Sequence, residues 1–377
     1  EMTTIRANID RRVADLYRFE SQMVMASVNI SDLITETDEE VVTHIGENDE
    51  DEENSTSSSV LCPSSLISNL LMWCVGVAFG RWDVRFALQP DLLPSLAGPF
   101  DPLPRCSPGM LLSPDGLPVT KGNIVSEAWL RARPDVLTLP ETVDGPQTIA
   151  DQDYPLPIAW DGILVDDPDH PRDIVTAVRR VLRLIWKEQA DAIEKEACQI
   201  LEVPDLRAYF RDARLFFNDH IKRYSKSRRK APIYWLLQSA RRNYGIWLYY
   251  PRLNPDMLFS AGREYMDAKL NLEPGRLQEL KTSLAGLVGT NLKMRERQVS
   301  RQVDLIGEIK AFGQELDRVA LLELKPDLND GVLLNIAPLY NLVPWKEAEK
   351  AWNELASGKY EWSSIGQQLR QKGWVKT

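Results

Sequence analysis

Proline placement constrains what this chain can fold into more than any other feature. Fourteen of its 24 prolines fall between Pro90 and Pro168. Proline lacks the amide donor and its ring clashes with the preceding helical turn, so few helices survive that density. Residues 89–170 therefore read as an irregular, loop-rich insert that packs over something larger. Short extended pieces fit at Ile158-Ala159-Trp160 and Gly162-Ile163-Leu164-Val165.

Helical patterns lie on both sides of the insert. Ile5, Ile9, Val13 and Leu16 recur at three- and four-residue steps and predict a helix over 1–30. Residues 36–53 hold ten Asp or Glu and no Lys or Arg, and run into Ser55-Thr56-Ser57-Ser58-Ser59. Such a composition cannot bury enough apolar surface to fold alone, so it reads as a linker. Pro63 fits the first turn of a helix ending at Gly80. Its apolar run, 66–79, is shorter than the roughly 20 residues of a membrane span and reads as a buried helix. Arg81-Trp82-Asp83-Val84-Arg85-Phe86 alternates and predicts a strand or an extended turn. Helices return at Pro171 and Ala190, and a further one is predicted from Pro204 through Phe217. Over 255–322, Leu277, Leu280, Leu284 and Val288, then Val299, Val303 and Ile306, predict an antiparallel helical pair. The expected fold class is α+β: mainly helical, with a small β-hairpin-containing part and a long C-terminal helical pair.

Within this frame, residues 220–255 contain no Asp or Glu, nine Lys or Arg and seven Tyr or Trp, in a chain of 377 residues and net charge −10. A local positive surface can bind a polyanion even when net charge opposes it. The candidate contacts are Lys222, Arg223, Lys226, Arg228, Arg229, Lys230, Arg241 and Arg242. Residues 233–237 and 244–250 are β-branched and aromatic with a break between them, which predicts a β-hairpin. Trp235, Trp247 and Tyr249 are expected in its core, not against a ligand. The absence of acids within the window removes local partners for its cations. Phosphate contacts of this kind supply affinity and register, not sequence choice.

Other chemistry is missing. Four Cys without paired spacing fit a reducing cytoplasm, and His44, His170 and His220 are too dispersed for zinc. The first residues lack the apolar core of a signal peptide. No Gly-x-Gly-x-x-Gly, phosphate loop or Gly-x-Ser-x-Gly occurs. Asp166-Asp167 is expected to be a pair of solvated loop carboxylates. No self-contained active site is apparent, and the sequence has no internal repeat.

Three separated stretches carry a resemblance. The central one is Ser227-Arg228-Arg229-Lys230-Ala231-Pro232-Ile233-Tyr234-Trp235 with Trp247-Leu248-Tyr249-Tyr250-Pro251-Arg252-Leu253. Before it stands Val75-Gly76-Val77-Ala78-Phe79-Gly80-Arg81-Trp82-Asp83. After it come Asp330-Gly331-Val332-Leu333-Leu334-Asn335-Ile336-Ala337-Pro338-Leu339 and Val343-Pro344-Trp345. In order, over roughly 60–365, they resemble the C-terminal half of adenine-specific DNA methyltransferases of the BREX phage-defence type (PglX) and related single-chain type II restriction-modification enzymes. The resemblance implies a DNA-binding, target-recognition half acting with a catalytic domain or subunit that carries S-adenosylmethionine. The family's Phe-x-Gly-x-Gly type loop and Asn-Pro-Pro-Tyr motif are absent here. Asn254-Pro255-Asp256-Met257 lacks the aromatic residue that stacks on a flipped base, so no catalytic residue carries over. The implied partners are double-stranded DNA, the catalytic domain or subunit and other defence-system proteins, with no membrane.

The expected division is a helical segment (1–35), an acidic disordered linker (36–59), a helix plus Pro-rich insert (60–170), a helical and β-hairpin DNA-contacting part (171–255) and a helical C-terminal domain (256–377). A protein–protein scaffold that docks the basic window on an acidic partner is the rival expectation, and a cryptic nuclease the third.

Overall fold

A computed structural model describes residues 63–89, 125–126, 148–149, 154–226 and 229–374. The helix predicted over 1–30, the acidic tract and most of the Pro-rich insert lie outside the described residues. The chain divides into two compact units. One comprises Cys74–Gly80, Leu156–Leu184 and Val203–Thr377; the other comprises Glu1–Trp73, Arg81–Pro155 and Ile185–Glu202.

Helix α1 is Pro63–Ala78, and its apolar run is buried as expected. Gly80 terminates it with φ +71, a left-handed conformation that favours glycine. A Cβ there would also stand 2.8 Å from Ile158 Cγ2. Helix α2, Arg85–Leu88, replaces the predicted strand or extended turn. Asp83 Oδ1 accepts from the Arg85 backbone amide at 2.9 Å, and that contact favours a turn entering a helix over an extended run. Helices α3 (Ile174–Trp186) and α4 (Ala190–Ile200) follow. The helix expected from Pro204 through Phe217 is two helices, α5 (Leu206–Arg211) and α6 (Phe216–Arg223). The break falls where Asp212 turns to extended backbone and its carboxylate caps the following turn through the Arg214 amide at 3.0 Å. Among the described residues, no helix is long and apolar enough to cross a membrane.

The larger unit is built on a three-stranded antiparallel sheet. Its strands are β1 (Ile163–Val165), β4 (Tyr234–Gln238) and β5 (Gly245–Tyr249), in the order β1-β5-β4. Between β1 and β4 in sequence, β2 (Ser225–Lys226) and β3 (Arg229–Lys230) form a separate small antiparallel pair. The predicted hairpin is β4–β5, with Tyr234 opposite Tyr249 and Leu236 opposite Trp247. Directly opposed residues share a face, and this face is packed with aromatic rings. Phe79 stacks on Tyr234 and Tyr249 with centroids 5.5 and 5.3 Å away. Phe216 and Phe217 meet Trp247 edge-on. All ten residues of β4 and β5 are buried, so Trp235, Trp247 and Tyr249 are core, as expected.

The C-terminal part is helical. Helix α7 (Met257–Ser260) leads through a π-helical turn, Ala261–Met266, into α8 (Asp267–Thr282). Helix α8 packs on the 32-residue α9 (Gly289–Ala320), which is the predicted helical pair. Helices α10 (Val332–Ile336), α11 (Lys346–Ala356) and α12 (Ser364–Gln371) close the chain around Leu322, Leu334, Leu355, Ile365 and Leu369.

Candidate nucleic-acid interface

The window 220–255 leaves α6 and passes through β2 and β3 into the hairpin. His220, fully buried at the end of α6, fixes that passage. Its Nε2 accepts from the backbone amides of Ile233 and Tyr234, both at 3.0 Å. As an acceptor this nitrogen carries no proton. One ring thus locks the helix that bears Lys222 and Arg223 to the first residue of β4.

The far end of β4 is organised by Glu308 of α9. Its carboxylate accepts from Ser239 Oγ (2.6 Å), the Arg241 amide (2.8 Å), the Asn243 amide (3.3 Å) and Asn243 Nδ2 (2.6 Å). Arg242 sits in this turn with φ +64. Burial acts to raise the Glu308 pKa, but the hydrogen bonds outweigh it and hold the carboxyl below its ordinary value.

The seven of the eight predicted cations that are described, all but Arg228, fall into two groups, one at each end of β4. Five residues of strand, roughly 16 Å at 3.3 Å per residue, separate them. At the first end, Lys222 is exposed and Arg223 half-buried on α6, with Arg223 3.5 Å from Asp219. Lys226 and Arg229 are opposed in the β2–β3 pair, and Lys230 follows opposite Ser225. Arg228 lies outside the described residues, as do the side chains of Lys226 and Arg229. At the second end, Arg241 and Arg242 stand on the Glu308-built turn, mostly exposed.

Acids from outside the window supply the partners that the window lacks. Arg241 lies 3.1 Å from Asp304 of α9, and Arg242 lies 3.4 Å from Asp212. Asp212 also pairs with Arg214 at 2.5 Å, and chiefly that hydrogen bond holds its carboxyl down to about 2. Exposed pairs of this kind contribute about 0–1 kcal/mol each, so a phosphate can displace them at little cost. Sequence reading missed Glu308, Asp304, Asp212 and Arg214, because each joins the site only through contacts 30 to 69 positions away or, for Arg214, through Asp212. The ninth cation of the window, Arg252, lies over the Trp160 ring at 5.1 Å.

Asp166 and Asp167 are not the solvated loop carboxylates expected. They are 4 and 3% exposed and belong to a buried ionic network. Asp166 pairs with Arg207 at 2.5 Å and Arg211 at 2.6 Å. Asp173, fully buried, accepts from both terminal nitrogens of Arg207 and caps α3 through the Thr176 amide at 2.9 Å. Lys269 of α8 reaches Asp167 (2.7 Å), Glu273 (3.0 Å) and Asp169 (3.2 Å). Burial acts to lower the Lys269 pKa, yet its hydrogen bonds to Asp167 and Glu273 raise it. Two neighbouring acids in sequence look like a surface loop; three basic side chains, Arg207 and Arg211 of α5 and Lys269 of α8, draw them inside. Among the described residues, no group of His, Cys, Asp and Glu could hold a metal ion.

The three sequence stretches that carried the resemblance meet at the hairpin. Phe79 from the first stacks on β4 and β5. From the third, Asn335 Nδ2 donates to Tyr250 Oη at 3.4 Å, and Leu342, between its two pieces, accepts from the Gln238 amide through its carbonyl at 2.8 Å.

No family model matches the chain. Two curated proteins do. Over 199 residues the chain is 25% identical to the adenine-specific methyltransferase BrxX of Escherichia coli O9:H4 (strain HS), covering 48% of this chain and 16% of that protein. Over 196 residues it is 27% identical to the adenine-specific methyltransferase PglX of Lacticaseibacillus casei (strain Zhang), with the same coverages. The chain is thus similar, over about half its length, to two adenine-specific methyltransferases. The match spans about a sixth of the length of these relatives.

Proposed function

We propose that this chain is the DNA-holding, target-recognition half of a site-specific adenine-N6 DNA methyltransferase in a phage-defence or restriction-modification system. A catalytic domain or subunit outside this chain binds S-adenosylmethionine and flips the adenine. The reading places this chain in the C-terminal half of such an enzyme, and duplex DNA is its ligand. One observation carries it: a carboxylate of α9 builds a rigid turn whose only exposed cations, Arg241 and Arg242, are held by pairs too exposed to compete with phosphate. The β2–β3 pair adds Lys226, Arg229 and Lys230, with Lys222 and Arg223 on the preceding helix, and Arg228 is a further candidate from the sequence. The relationship to adenine-specific methyltransferases supports DNA as the substrate.

The test is duplex affinity against salt. Binding by the wild-type chain weakens steeply as salt rises, because each neutralised phosphate releases counterions. Arg241→Ala with Arg242→Ala, and separately Arg228→Ala with Arg229→Ala, weakens binding to all sequences alike and lowers the salt slope by about 1 per lost contact. With the catalytic portion and methyl donor added, the same variants raise KM for DNA and leave the methylated base unchanged. Loss of a protein partner with DNA binding intact would instead make the chain a scaffold.

A further inference from the structure

Helices α8 and α9 continue past the sheet as a two-helix arm. From Pro274 to Glu308 no residue is buried, so over this stretch the two helices pack chiefly on each other. Their seam on the α9 side is Leu292, Arg295, Val299, Gln302 and Ile306, at alternating steps of three and four. Gln302 closes it by donating to Glu273 of α8.

The face of α9 opposite that seam is basic. Lys293, Arg297 and Arg301 follow one another at four-residue steps, all exposed and none ion-paired to a described residue. Residues 281–301 hold Lys281, Lys293, Arg295, Arg297 and Arg301 against one acid, Glu296, in a chain of net charge −10. One helical turn beyond Arg301 on the same face stands Asp304, whose carboxylate holds Arg241 at 3.1 Å. One turn further is Glu308, which builds the Arg241–Arg242 turn. The row of cations therefore leads along one face, past Asp304 and Glu308, to the candidate interface.

We infer that this face of α9 is a second phosphate-contacting track that lays the arm along the backbone of the duplex held at the hairpin turn. From Lys293 to Asp304 the helix rises roughly 17 Å at 1.5 Å per residue, the axial length of about five phosphates of one strand. Exposed cations at regular helical steps, with no ion pair to a described residue, on an acid-poor stretch that leads to the Arg241 turn favour a polyanion. The track rests on the DNA-holding reading proposed above.

The test is duplex affinity against salt, with a hydroxyl-radical footprint, for the full chain and two variants. Lys293→Gln with Arg297→Gln and Arg301→Gln keeps the exposed helix while removing its charge, and unchanged thermal melting confirms the fold. The expected result is about tenfold weaker binding, a salt slope lower by about 2 to 3, and lost protection on one flank of the footprint only. Arg241→Ala with Arg242→Ala loses protection at the centre instead. If the arm variant matches wild type while the turn variant is weakened, the track is overturned and the DNA-holding reading stands. If the wild-type chain shows no salt-dependent duplex binding, both fall. An arm variant that binds DNA normally but loses a protein partner or self-association likewise overturns the track.

Discussion

Glu308 shapes the candidate interface more than any arginine within it, because four hydrogen bonds of the turn converge on its carboxylate. Glu308→Ala is expected to cost about 1–3 kcal/mol, the net contribution of hydrogen bonds to a charged group. It should also weaken DNA binding without removing any positive charge. The turn should depend on pH. The folded chain holds this carboxyl below its unfolded value of about 4.3. Its contribution is therefore complete above that value and is lost as pH falls through the lowered one. Melting temperature measured down an acid series should drop less steeply for Glu308→Gln than for wild type. The buried network gives a contrasting pair of substitutions. Lys269→Met leaves Asp167 and Glu273 buried without their ammonium and should cost about 3 kcal/mol or more in urea unfolding. Arg276, 40% exposed beside Glu273 and Asp169, should cost under about 1 kcal/mol when changed to Ala.

The clamp of α6 on the β4–β5 hairpin depends on one ring. His220→Phe keeps the stacking on Tyr234 (centroids 4.6 Å apart) but leaves the amides of Ile233 and Tyr234 buried without an acceptor. About 2–4 kcal/mol of destabilisation is expected from two such groups, read by thermal or urea unfolding. Elements of this kind were only half legible in the sequence. The hairpin itself was, because two short runs with eight large apolar and aromatic residues between them, separated by a polar break, leave few other solutions. The helical pair was legible from its three- and four-residue steps. The clamp and the turn were not, since His220 and Glu308 act on partners 13 and up to 69 positions away, and no local pattern encodes such distances. The same limit made Asp166-Asp167 look solvated. It also made the acid-free window look like a single patch, whereas its cations stand at the two ends of one strand.

At the scale of the whole molecule, the larger unit is discontinuous in sequence, with Cys74–Gly80 packed among residues that begin 76 positions later. That arrangement brings parts of the three stretches that carry the resemblance together: Phe79 stacks on Tyr234 and Tyr249, and Asn335 Nδ2 donates to Tyr250 Oη. It also separates two ways in which a substitution can weaken DNA binding. Phe79 is fully buried between Tyr234 and Tyr249, so Phe79→Ala should cost about 3–5 kcal/mol. Only the folded fraction of that variant would bind, so apparent affinity falls with temperature while the salt slope stays that of wild type, since no phosphate contact is lost. Arg241→Ala with Arg242→Ala should do the reverse, lowering the slope at an unchanged melting temperature. Affinity measured across salt at two temperatures distinguishes the two cases. A Phe79→Ala variant whose salt slope fell would mean that the core stretch itself touches DNA, and the division between a packing core and a contacting rim would have to be redrawn.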